Sequence, residues 1–157
     1  PYTMAMVIDE YFGTKKKNWD LRILATDIST DVLEKARNGV YSEESVNTLP
    51  AHWRKKYFVK INNDNYRVSD EIRKEVVFKQ FNLMDNIVIK KPFDLISCRN
   101  VMIYFEGDTK KELVKRLYDA TKDGGYLFIG HAESIPRNYF YTYIKPAIYQ
   151  KQNSKIK

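Results

Sequence analysis

The chain has 157 residues, 43% apolar and 14% aromatic, which is enough to bury one substantial core and too little for two ordinary ones. No apolar run approaches the roughly 20 residues that span a bilayer, and the first residues lack the regions of a signal peptide, so a cytoplasmic protein not inserted in a membrane is expected. The formal net charge of +7 falls in Lys15, Lys16 and Lys17, in Arg54, Lys55 and Lys56, in Lys90 and Lys91, and in Lys151, Lys155 and Lys157. Each group sits at a loop or element end, which reads as a solvated basic surface and argues against a nucleic-acid partner.

In chain order, Met4, Val7, Ile8 and Tyr11 recur at helical spacing, so a helix is predicted over residues 1–12 with Gly13 ending it. The run LRILATD at 21–27 reads as a buried strand. Ser29 or Thr30 can cap the next helix, with Val32, Leu33 and Ala36 inward and Gly39 suited to a left-handed carboxyl cap. Between about 40 and 75 the sequence turns polar and aromatic, and Asn62, Asn63, Asp64 and Asn65 supply turn chemistry between two short runs. A small antiparallel excursion is predicted there, its core at about 45–75.

Strands follow over 76–83 and 93–98. Thr109 with Glu112 suggests a capping box for a helix with Val114, Leu117 and Tyr118 on its apolar stripe. GYLFIG at 125–130 reads as a central strand, YFYTYIKPAIYQK as a hairpin about Lys145 and Pro146, and residues 153–157 as a disordered tail. The order predicts an α/β domain over 1–152, with a mainly parallel sheet, an antiparallel hairpin at its carboxyl end and a small inserted β-subdomain.

Ligands of open parallel sheets bind outside the carboxyl ends of the strands. Asp27 ends its strand, where a carboxylate accepts both ribose hydroxyls of an adenosine or serves as a helix cap. Asn82 and Leu83 offer an amide and an apolar wall to an adenine, or form a turn. Arg99 and Asn100 place a cation and an amide at a strand end, and Tyr104 adds a hydroxyl that could orient a reacting group or could simply pack. His131 reads as structural, Ser134 lacks a hydrolase setting and Cys98 reads as a small buried hydrophobe. One cysteine excludes an internal disulfide and a Cys-based zinc site, and no metal is expected.

At RILATDIS, EKARNGVY, FDLISCRNVMIYF and GGYLFIGHAES the sequence closely resembles the chemotaxis receptor methyltransferases of the CheR type, in order, from Pro1 to about Lys151. The resemblance implies a Rossmann-like class I fold that uses S-adenosylmethionine, releases S-adenosylhomocysteine and esterifies glutamates on the cytoplasmic domains of chemotaxis receptors. It also implies that Asp27 binds the ribose, Asn82 and Leu83 flank the adenine, Arg99 and Asn100 contact the cofactor, and Tyr104 stands near the transferred methyl. Before the pair matched by Pro1 and Tyr2 the family has a helical domain, then an acidic, glycine-rich segment. Their absence here implies a piece that lacks the first strand and glycine-rich loop, binds cofactor weakly, does not turn over alone, and exposes strand edges open to exchange or dimerisation. The family's inserted subdomain docks a receptor pentapeptide in members with a longer, glycine-containing loop; INNDNY is short and glycine-free, which implies a pentapeptide-independent member. Two other readings are a methyltransferase of the same fold with another acceptor and a non-catalytic signalling module.

Overall fold

A computed structural model of the chain describes residues 1–136 and 139–152, without the side chains of Lys16 and Lys17. The expected tail at 153–157 lies outside the described residues. Two compact units divide the chain, Pro1–Asn82 and Leu83–Lys157.

The first unit opens with helix α1 (Tyr2–Phe12), followed by a 3-10 turn (Gly13–Asn18). Strand β1 (Ile23–Asp27) leads into α2 (Thr30–Asn38). Ser29 caps α2 by accepting the Val32 N–H at 3.3 Å, and Gly39, at φ 62, ends it in the left-handed conformation that glycine adopts without a Cβ penalty. The antiparallel excursion begins with β2 (Val40–Ser42) and continues through α3 (Glu43–Asn47), α4 (Ala51–Tyr57), β3 (Phe58–Lys60), β4 (Asn65–Val68) and α5 (Asp70–Arg73). Its strands pair in the order β2-β4-β3. In the turn between β3 and β4, Asn62 Oδ1 accepts the N–H of Asp64 at 3.0 Å, the local side-chain bond that favours Asn in turns. Strand β5 (Val76–Gln80) then returns parallel to β1, in register from Ile23 against Val76 to Asp27 against Gln80.

Three expectations for this unit are corrected. Helix α1 buries Tyr2, Ala5 and Met6, while Val7 and Tyr11, which the spacing set on one helical face with Met4 and Ile8, are exposed. The apolar pattern of α1 is nearly continuous, and the face is chosen by Tyr2, whose ring is buried and whose hydroxyl donates to the Ala36 carbonyl at 2.8 Å. Val32 is exposed, and only Leu33 of α2 is fully buried. The core here is formed by Tyr2, Ala5, Met6, Tyr57, Val68, Ile72 and Val76, with Ile23, Ala25 and Phe78 packed against it. Strand β1 is therefore half-buried with alternating exposure and not buried on both faces.

The second unit contains β6 (Phe93–Ser97), a 3-10 turn (Met102–Tyr104), α6 (Gly107–Ala120), β7 (Thr121–Phe128), β8 (Thr142–Lys145) and β9 (Ile148–Gln150). The sheet order is β6-β7-β9-β8, parallel between β6 and β7 and antiparallel across the expected hairpin, which turns at Pro146 and Ala147. Helix α6 begins two residues earlier than the proposed box, so Thr109 is already its third residue. Glu106 precedes it without a side-chain cap. Packing holds α6 in place: Leu113, Val114 and Leu117 are buried with Leu127 and Ile129, each such residue contributing about 1.5–3 kcal/mol against about 1 for a cap. Among the described residues no helix is long and apolar enough to cross a membrane.

Candidate cofactor site

In the first unit, Asp27 and the segment after β5 meet at one end of a parallel pair. The Phe81 N–H donates to the Asp27 carbonyl at 3.0 Å, and the Gln80 side-chain amide donates to the Ile28 carbonyl at 2.9 Å. The Asp27 carboxylate is half-buried, and its Oδ1 accepts the Ser29 N–H at 2.8 Å. That bond fixes the side chain over the strand end while Ser29, and not Asp27, caps α2. Oδ2 makes no hydrogen bond among the described residues, which leaves the acceptor capacity that a pair of ribose hydroxyls needs. Asn82 is half-buried, two residues beyond β5.

In the second unit, Leu83 packs against the core, and its carbonyl accepts Nη2 of Arg116 at 3.1 Å. Arg99, Asn100 and Tyr104 lie on one short segment that follows the carboxyl end of β6. All three are exposed, Tyr104 by 78%, so its ring is a surface feature and its hydroxyl is available. The structure thus brings Asp27 to the strand end that precedes Asn82, and Arg99, Asn100 and Tyr104 to one loop.

What shapes that loop is Glu133, which the reading of GHAES passed over in favour of His131 and Ser134, both exposed. Glu133 is only 8% exposed. Its carboxylate accepts N–H bonds from Gly130 at 2.5 Å, Val101 at 2.8 Å, Asn100 at 3.0 Å and Ile103 at 3.2 Å. Burial works against its ionisation, yet backbone donors, those of Gly130, Asn100 and Ile103 among them, outweigh that and hold its pKa below the ordinary value of 4.5. Asn100 sits at φ 58, in the left-handed region that Asn tolerates better than most residues. Its side chain lies against Gly130, where an added Cβ would stand 2.4 Å from Asn100 Oδ1. An acid three residues after the glycine that closes the predicted strand GYLFIG was the sequence signal for this clamp. Cys98, buried before the loop, has its thiol pushed up to about 11, first by burial and then by the Glu133 charge.

A family model described as the SAM-binding domain of CheR methyltransferase matches residues 1–148. The chain is 43% identical over 152 residues to the chemotaxis protein methyltransferase of Borreliella burgdorferi, covering 96% of this chain and 54% of that protein. It is 38% identical over 139 residues to that of Escherichia coli, covering 86% and 48%. With chemotaxis protein methyltransferase 2 of Vibrio cholerae the identity is 37% over 139 residues, covering 87% and 48%. The chain spans about half the length of these relatives. Among solved structures, the glycopeptide N-methyltransferase MtfA complexed with S-adenosylmethionine aligns with 88% of this chain and 46% of that one at 14% identity and a TM-score of 0.44. The family assignment rests on the sequence match and not on that likeness.

Proposed function

The chain belongs to the CheR methyltransferase family through its SAM-binding domain, and from that premise we propose that it holds the adenosine half of S-adenosylmethionine for transfer of a methyl group to receptor glutamates. The observation that carries the cofactor reading is the Asp27 carboxylate, anchored through Oδ1 and open at Oδ2 where β1 ends. In this reading Asp27 accepts the ribose hydroxyls, Asn82 and Leu83 flank the adenine, and Arg99 and Asn100 contact the cofactor from the loop after β6. Tyr104, exposed on that loop, orients the reacting groups.

S-adenosylmethionine, when bound, would supply a methyl carbon on a sulfonium: a glutamate carboxylate oxygen would bond to that carbon as its C–S bond breaks, and the electron pair would stay on the sulfur of the departing S-adenosylhomocysteine. A glutamate is already ionised at neutral pH, so this chain's residues have no proton to remove and act by alignment. That division of labour fits a loop with an amide, a guanidinium and a phenol and no general base.

The partners in this reading are the cytoplasmic domains of chemotaxis receptors, which places the protein in the cytoplasm. The glycine-free turn between β3 and β4 supports recognition that does not require a receptor-tail pentapeptide. Among the described residues β1 pairs only with β5 and β6 only with β7. Those open edges support pairing with a further strand, from the complete gene product or from a second copy of the chain, and they support weak cofactor binding and no turnover by residues 1–157 alone.

The test is calorimetric binding of S-adenosylhomocysteine to the complete gene product, followed by methyl transfer with Tyr104→Phe. The proposal expects binding, and a fall in kcat for Tyr104→Phe with the KM for cofactor little changed. A protein that binds no S-adenosylhomocysteine contradicts it.

A further inference from the structure

Glu133 has no part in the proposed function, although among the described residues its carboxylate accepts four backbone N–H bonds. Three of its four donors, the N–H groups of Asn100, Val101 and Ile103, belong to the single segment that carries Arg99, Asn100 and Tyr104. The fourth is Gly130, just past the end of β7, the strand parallel to β6. One carboxylate thus ties together the loops that leave two neighbouring parallel strands. The tie is closed from the other side as well, since the Glu133 N–H donates to the Gly130 carbonyl at 3.0 Å.

The segment needs such a clamp. Asn100 is held at φ 58, a region that residues with a Cβ leave when they are released. A return to the right-handed or extended region at Asn100 would turn the backbone between Arg99 and Tyr104, and both side chains with it. Arg99, Asn100 and Tyr104 are exposed, so packing does little to hold their direction. Met102, buried in the core of this unit, fixes the centre of the segment but not its entry.

We propose that Glu133 is a positioning residue for the cofactor: its carboxylate, by gathering the N–H groups of Gly130, Asn100, Val101 and Ile103, sets the left-handed turn at Asn100 that aims Arg99 and Asn100 at the ligand. The inference rests on the function proposed above. A neutral amide at this position keeps the shape but turns one acceptor into a donor that faces N–H groups, so Glu133→Gln breaks the clamp with little change of volume. Glu133→Asp keeps the charge and withdraws it by one methylene.

The experiment uses the complete gene product, wild type, Glu133→Gln and Glu133→Asp. It reads S-adenosylhomocysteine affinity and stoichiometry by calorimetry, the KM values for S-adenosylmethionine and for receptor, and hydrogen exchange. With Glu133→Gln, affinity weakens and the cofactor KM rises by about tenfold or more, at an unchanged binding stoichiometry. The receptor KM stays within about twofold. Exchange quickens over residues 99–104 and not in the first unit, and Glu133→Asp falls between Gln and wild type. A residue that only staples the fold would instead lower the fraction of competent protein and the melting temperature with Kd and KM unmoved, and that result overturns the proposal. So does failure of both variants to fold. A wild-type protein that binds no cofactor overturns the proposed function and this inference together; an active wild type matched by Glu133→Gln in Kd and KM overturns this inference alone.

Discussion

Replacing Gly130 by alanine should damage the second unit more than any other single methyl addition at a loop glycine. The new Cβ would lie 2.4 Å from Asn100 Oδ1, 2.8 Å from Glu133 Oε2 and 3.1 Å from the Asn100 nitrogen. Carbon contacts are comfortable only at about 3.5–4.0 Å, so at least two neighbours must move. The Asn100 amide is exposed and can swing aside. The Glu133 carboxylate is buried on four N–H groups and cannot yield without stretching them. Overpacking costs about 1–3 kcal/mol and each weakened bond to a charged group part of about 1.5–3, which together put the loss near 3 kcal/mol. With a urea slope of about 2 kcal/mol per molar, the midpoint should fall by about 1.5 M. Gly107→Ala is the control, because its Cβ meets open space and it carries only the strain of φ 52. That strain is about 1–2 kcal/mol, and cofactor affinity should not change. A Gly130→Ala midpoint within about 0.3 M of wild type would refute the steric argument.

Asp27→Ala should weaken S-adenosylhomocysteine binding by about 10- to 100-fold, the worth of charged hydrogen bonds of about 1.5–3 kcal/mol, as read by calorimetry. Glu133 has a folded pKa below its unfolded value of 4.5, so its contribution to stability is fully present above that value and is lost as pH falls through the folded pKa. Urea midpoints measured downward from neutral pH should therefore drop on the acid side of 4.5 in wild type and drop less steeply in Glu133→Gln. Cys98, with a thiol pushed up to about 11 and a buried side chain, should resist a disulfide reagent at pH 8 in the native protein. When folded only about one part in a thousand is thiolate at that pH, whereas in denaturant the exposed thiol should react at once.

The parts of the fold that could be read from the chain were those fixed by neighbouring residues. Ser29 and Gly39 bound α2 through their own backbone chemistry, and the hairpin from Thr142 to Gln150 turns where Pro146 interrupts two apolar runs. Positions decided by distant partners were harder. The face of α1 depended on Tyr2 reaching Ala36, and the start of α6 on packing of Leu113 and Val114 that no cap at Thr109 announces. The same division runs through the site. Asp27, Arg99, Asn100 and Tyr104 stand at strand ends and in the short loop after one, which periodicity locates. Glu133 acts across 30 or more residues of sequence on Ile103, Val101 and Asn100, and only the fold brings its carboxylate to those N–H groups.

What has to hold is methyl transfer from S-adenosylmethionine to receptor glutamate, with the ribose hydroxyls donating to Asp27 as proposed. The complete gene product, supplied with S-adenosylmethionine labelled in its methyl group and with chemotaxis receptor membranes, tests it most directly. The expected result is label on the receptor that base releases as volatile methanol, as a glutamyl ester requires, and much less of it with Asp27→Ala. No transfer, or label that survives base, would contradict it.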